Sequence, residues 1–187
     1  MPRTSNQNAG LTLIELVITL AVFAVTVTVV APAMQSLLHG NRLRTEATRL
    51  LDALNLARSE AVMRNNPVVL CPRPAPGEDD ASCDGLFANG WLVFSDSARN
   101  GRFDAGSDEL IRVFEPLPQG YTLTDLAGGS STRGPISYLP DGTSRRNISL
   151  LVCPPQELPL QPWSVVLNNV GRARMGRGEG RCPTVLP

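Results

Sequence analysis

From Leu11 to Val30 the chain has 20 residues and a single charge, Glu15. A helix rises about 1.5 Å per residue, so this run spans roughly 30 Å, the thickness of a bilayer's hydrocarbon core. Further on the pattern changes. Leu43, Ala47, Leu50, Leu54, Ala57 and Ala61 recur at spacings of four and three, the apolar stripe of an amphipathic helix. Arg42, Arg44, Arg49, Asp52, Arg58 and Glu60 fall on its remaining surface. Pro32 removes one backbone donor without ending so apolar a run, which predicts one long, kinked helix. Asn65-Asn66-Pro67 stops it, two turn formers ahead of a proline. Short β runs follow: Val68–Cys71, Trp91–Phe94, Leu110–Phe114, Tyr121–Thr124, Ile136–Leu139, Ile148–Val152 and Trp163–Leu167, separated by Gly and Pro. The expected fold is α+β, a long N-terminal helix packed on an antiparallel β domain. Its expected parts are a polar leader (1–10), a membrane-spanning half-helix (11–32), an amphipathic half-helix (33–66) and a β domain (67–187).

Length and charge narrow the picture. The 187 residues leave about 120 beyond the helix, enough for one hydrophobic core. Net charge is zero, so bulk composition does not announce a polyanion partner, but its distribution is uneven. Every basic residue is Arg. Between Cys71 and Asp125 ten acids face four arginines; from Leu126 onward three acids face seven. An acidic middle and a basic tail could present two faces of opposite sign.

Candidate chemistry is sparse. The serines have no nucleophile-elbow context, no glycine-rich loop is followed by Lys, and the lone His39 lies beside the apolar helix. These features argue against an enzyme and against a cofactor. Asp96-Ser97-Ala98-Arg99-Asn100-Gly101 with Asp104 and Asp108 invites a calcium reading. Ala98 stands where an EF-hand needs its second ligand, however, Arg99 adds a cation, and no Glu closes the loop. A solvated hairpin turn around Asn100-Gly101 is the better reading, and no metal is expected. Cys71, Cys83, Cys153 and Cys182 contain no C-x-x-C, which disfavours zinc. On the far side of a membrane anchor they would be in a disulfide-permissive compartment. Of three possible connectivities, nearness and strand logic favour Cys71 with Cys83 and Cys153 with Cys182.

A carboxylate just inside a membrane span costs at least ~2.5 kcal/mol, so Glu15 calls for a functional reading. A secretory signal would carry its cleavage site after the apolar run and needs no acid there. Gly10-Leu11-Thr12-Leu13-Ile14-Glu15 closely resembles the class III signal of type IV pilins and type II secretion pseudopilins, G-F-T-L-I-E, with Leu11 in place of the usual Phe. The resemblance implies cleavage after Gly10 by a prepilin peptidase, methylation of Leu11, and retention of the helix as a single-pass anchor. The anchor would lie in the bacterial inner membrane with the C-terminal domain in the periplasm. It also implies that Glu15 pairs with the N-terminal amine of a neighbouring subunit. Physics agrees, because opposite charges attract strongly in a low-dielectric setting where either alone is expensive.

The tail is the other distinctive stretch. Arg172, Arg174, Arg177 and Arg181 alternate with Gly and small residues. If Arg172 and Arg174 lie on a strand they share a face, and guanidinium forks match phosphate oxygens. Arg145 and Arg146, in a turn after Asp141-Gly142, could join them. A basic loop pairing with acids of its own or a neighbouring domain fits the composition equally well. Asn41-Arg42-Leu43, Ala57-Arg58-Ser59-Glu60-Ala61 and Gly90-Trp91-Leu92-Val93-Phe94 resemble the minor pseudopilin family that unites GspH, FimT and FimU. That likeness implies a structural tip or initiation subunit of a type IV pilus or type II secretion pseudopilus, partnered by other pilin subunits. Some FimT-like members carry a C-terminal G-R-x-R implicated in DNA uptake for natural transformation, and Gly171-Arg172-Ala173-Arg174 is similar to it residue for residue.

Overall fold

The computed structural model describes residues 12–74, 83–129, 134–156 and 158–183. Gly10 and Leu11, the expected cleavage and methylation positions, lie outside these residues. One helix, α1, runs from Leu13 to Arg64 and continues through Pro32. The chain divides into two units, Met1–Leu38 and His39–Pro187.

In the first unit the large apolar side chains of α1, from Leu13 to Val30, are exposed. The helix there is long and apolar enough to cross a membrane. Its threonines turn their hydroxyls inward: Thr19 donates to the Leu16 carbonyl at 2.9 Å, Thr26 to Val22 at 2.7 Å, Thr28 to Val25 at 2.8 Å. Hydroxyls satisfied by their own helix are tolerated in a medium without water.

In the second unit, eight antiparallel strands among the described residues follow the helix: β1 (Val68–Pro72), β2 (Trp91–Ser95), β3 (Glu109–Phe114), β4 (Thr122–Thr124), β5 (Ile136–Tyr138), β6 (Ile148–Cys153), β7 (Trp163–Leu167) and β8 (Ala173–Arg177). They form two four-stranded sheets, ordered β3-β2-β1-β5 and β4-β6-β7-β8. Seven match the expected runs within a residue or two. β8 is additional, a strand that no apolar run predicts.

The stripe of α1 explains the core. Leu43, Ala47, Leu50, Leu54, Ala57 and Ala61 are buried in one cluster with side chains of both sheets. Val68, Leu70, Trp91, Val93, Ile136 and Tyr138 come from the first sheet; Leu123, Leu150, Val152, Val165 and Leu167 from the second. Fully burying a Leu or Val side chain stabilises by about 1.5–3 kcal/mol, so this cluster dominates the fold's driving force. The alternate residues of β1 and β2, Val69, Cys71, Leu92 and Phe94, form a smaller cluster with Cys83 and Phe103 on the sheet's other face. Burial on both faces is why these strands read as unbroken apolar runs.

The connections have specific supports. Disulfides join Cys71 to Cys83 and Cys153 to Cys182, across 12 and 29 residues. The first holds the start of the β1–β2 connection; the second ties the chain end to β6. At the end of α1, Arg64 bonds Glu60 at 2.5 Å and Glu109 at 2.6 Å, linking the last helical turn to edge strand β3. Both carboxylates hold the guanidinium more firmly protonated than usual. In the β2–β3 loop the buried carboxylate of Asp96 accepts from the amides of Asn100 (3.1 Å) and Gly101 (2.9 Å). Asp108 accepts from those of Ser97 and Asp104, both at 2.9 Å. These acids order the loop's own backbone.

Candidate functional site

Two places carry the chemistry expected from the sequence: the start of α1 and the β7–β8 edge. Glu15 lies in the first turn of α1. Its amide donates to the Thr12 hydroxyl at 3.3 Å, a capping contact that leaves the carboxylate on an exposed apolar surface. A carboxylate near a helix N-terminus is favoured by the helix dipole. Among the described residues nothing covers the apolar surface around it.

The tail arginines are separated by the geometry of β8. Ala173 and Met175 pack toward the core. Arg174 therefore points to the opposite face, and Arg172, just before the strand, is exposed. Among the described residues β8 pairs with β7 alone, at the edge of its sheet, in a register that places Arg174 opposite Val166 and Arg177 opposite Trp163. Arg174 is not a bare cation: its guanidinium meets Glu179 at 3.1 Å. Glu179 also accepts from the buried Ser164 hydroxyl at 2.8 Å. The Ser164 hydrogen bond, and then Arg174, hold the Glu179 carboxyl below the usual carboxylate range. Arg177 turns to the helix side, its guanidinium carbon 5.9 Å from the centre of the Trp163 ring. Arg181 lies beyond the strand, where its amide bonds the Leu126 carbonyl at 3.0 Å.

Gly171, the first residue of the Gly-Arg-Ala-Arg run, has a structural reason to be glycine. Its φ is +80°, and a Cβ there would stand 2.0 Å from the Gly142 carbonyl oxygen. Arg58 of α1 fastens the same place: its Nε donates to the Gly142 carbonyl at 3.0 Å and an Nη to that of Val170 at 3.5 Å. The β5–β6 and β7–β8 turns are thus held together by one half-buried helix arginine that the sequence pattern had placed on the outer surface.

Arg145 and Arg146 do not join the β8 arginines. Arg146 donates to the carbonyls of Gly134 (3.0 Å) and Pro135 (3.2 Å). Arg145 lines a cavity of about 260 Å³ at the end of the first sheet, with Asp96, Arg99 and Leu139. The backbone between β5 and β6 accounts for this: Ser144 bridges back to Tyr138, the last residue of β5, which keeps the following residues at the first sheet. Instead, the structure brings a residue from α1 to the edge: Arg44, whose guanidinium carbon is also 5.9 Å from the Trp163 ring centre. No local pattern marks it, because its partner lies on β7.

A single long helix, half of it apolar and uncovered and half of it backing antiparallel sheets, is the architecture of a pilin-type subunit. Comparison with known proteins agrees. A family model described as Type II transport protein GspH matches residues 46–171, and one for the prokaryotic N-terminal methylation motif matches residues 5–31. The chain belongs to the GspH family of minor pilins and pseudopilins. Among solved structures it is similar to the type IV minor pilin FimU of Pseudomonas aeruginosa, with a TM-score of 0.51 and 17% identity, covering 73% of this chain and 89% of that one. The minor pseudopilin EpsH of the Vibrio cholerae type II secretion system matches with a TM-score of 0.51 and 15% identity, over 73% of this chain and 97% of that one. A second structure of EpsH gives 0.50 and 18%, over 76% and 99%. At these identities the structures speak for the fold. No curated protein sequence matches the chain.

Proposed function

We propose that this protein is a membrane-anchored minor subunit at the tip or initiation point of a type IV pilus or type II secretion pseudopilus. A prepilin peptidase cuts after Gly10, Leu11 is methylated, and the apolar half of α1 stays in the inner membrane with the β domain in the periplasm. On assembly Glu15 neutralises the N-terminal amine of a neighbouring subunit. The observation that carries this reading is the exposed apolar half of α1 with its single carboxylate, on a chain of the GspH family. Such a surface is stable only in lipid or against other helices, and the lone charge is costly in either place until it is paired. The test is to co-express the protein with the assembly machinery of its host. Glu15→Gln should insert and be cleaved normally but be missing from sheared filaments. Incorporation at the wild-type level would sink the pairing role.

A second reading, nucleic-acid binding in DNA uptake, is favoured by the exposed arginines around β8. The Arg174–Glu179 ion pair and the packing role of Gly171 count against the Gly-Arg-Ala-Arg run as its sole basis. The two readings are compatible, since a tip subunit can also be a receptor.

A further inference from the structure

We propose that the cavity between the β2–β3 loop and the β5–β6 connection is a binding site for a carboxylate on a small apolar body, gripped by Arg99 and Arg145. It uses neither Glu15 nor the arginines of β8, so its failure would leave the readings above standing.

Contacts between residues far apart in sequence build the cavity. The Asp96 amide donates to the Pro67 carbonyl at 2.9 Å, fixing the start of the β2–β3 loop to the segment that follows α1. The buried Asp96 carboxylate then holds the amides of Asn100 and Gly101. Between these anchors Arg99 takes a left-handed backbone, φ +55°. That conformation is unfavourable for an arginine, persists only where neighbours impose it, and clusters at ligand clamps. From the other connection, the bridge between Ser144 and Tyr138 keeps Arg145 at the same end of the sheet. Both arginines line the cavity of about 260 Å³. Both are exposed, and among the described residues neither guanidinium has a hydrogen-bond, ion-pair or ring partner. Arg64, Arg146 and Arg174, by contrast, are already engaged by carboxylates or carbonyls.

The lining selects the ligand. Two arginines against one aspartate leave a net charge of +1, which suits a monoanion better than a phosphate dianion. Asp96 leaves the guanidinium groups to a ligand, because its oxygens accept from backbone amides. A guanidinium fork meets both oxygens of a carboxylate in two parallel bonds. The Ser137 hydroxyl, on β5 and without a partner among the described residues, supplies one further donor. Pro67, Leu139 and Pro140 form an apolar wall, and the two prolines have no amide to donate. Drug-sized ligands fill roughly 300–1,000 Å³. A volume of about 260 Å³ therefore admits one acid the size of an amino acid and excludes a nucleotide or a sugar chain. A free small acid and the last residue of a protein chain present the same group.

The test uses the full chain in nanodiscs of zwitterionic phosphatidylcholine. The probe is a short peptide ending in leucine with a free carboxylate, read by the fluorescence anisotropy of a neutral dye at its other end. The peptide should bind, and its C-terminal amide should bind on the order of tenfold more weakly, the usual contribution of a charged hydrogen bond. Arg99→Gln with Arg145→Gln should weaken the free-acid peptide by a similar factor and remove its advantage over the amide. Arg99→Lys with Arg145→Lys, which keeps the charge but not the planar fork, should fall in between; it also serves if the glutamine pair fails to fold. Arg172→Gln, on the other sheet's side, should change nothing. Displacement of the probe by N-acetyl-leucine as readily as by unlabelled peptide would support the site with a free small acid as its source. Displacement by the unlabelled peptide alone would support it with a chain terminus. No binding, equal binding of acid and amide, or an equal loss in Arg172→Gln would overturn the site. Displacement by inorganic phosphate more readily than by either carboxylate would overturn the carboxylate assignment.

Discussion

The two halves of α1 are one continuous helix with opposite surroundings. Between Leu13 and Val30 its large apolar side chains are exposed; between Leu43 and Ala61 its apolar stripe is closed off by two sheets. The first half gains from association with lipid or other helices, the second already has its partner within the chain. The difference shows how one element divides its work: the second half builds the core of the domain, and the first leaves its apolar surface uncovered.

Substitutions in the two halves sharpen that contrast. Leu54→Ala should remove about 2–5 kcal/mol of domain stability, because it opens a cavity in a closed core. Leu20→Ala, in the exposed half, should leave the domain's denaturant midpoint unchanged and act only on membrane insertion. Equal destabilisation by the two would erase the distinction. Next in size is Cys153→Ser with Cys182→Ser. Opening a 29-residue loop should cost about 3.6 kcal/mol by the chain-entropy relation, measured by urea unfolding. Gly171→Ala should cost about 1–3 kcal/mol, since its backbone is left-handed and its Cβ would meet the Gly142 carbonyl. An unchanged midpoint would show that the β7–β8 turn can move aside.

The smallest effects are electrostatic. The lowered pKa of Glu179 means that its contribution is present above the ordinary carboxylate range and lost as pH falls through the folded value. Glu179→Gln should therefore flatten the acid limb of the stability profile slightly while releasing Arg174. Tyr138 has the opposite sign. Burial raises its pKa well above the usual 10, so its contribution holds below pH 10 and declines as pH rises beyond that. Tyr138→Phe should remove that alkaline decline, and an identical alkaline profile in the variant would contradict the assignment.

Local patterns carried much of this fold. The stripe from Leu43 to Ala61 and the apolar runs of seven strands are periodicities that a chain displays without knowledge of its partners. β8 is different. Ala173-Arg174-Met175-Gly176-Arg177 has no β-branched residue, and its strand geometry comes from pairing with β7. The same limit hid the site's non-local parts. Arg44 and Arg177 meet on Trp163 only after helix and sheet have packed, and Arg58 looked like a solvent-facing position until two turns closed over it. The motif at Gly10–Glu15 was legible because it is sequential, a run of adjacent residues within the stretch that matches the prokaryotic N-terminal methylation motif.

The anchor is therefore the claim to test most directly. Intact mass and N-terminal sequencing of the protein extracted from the membranes of its host would read it in one step. The expected product is a chain that begins at Leu11 with an added methyl group, and an uncleaved chain when Gly10 is replaced by a bulky residue. A mature chain that still begins before Gly10, or one cut beyond the apolar helix, would contradict it.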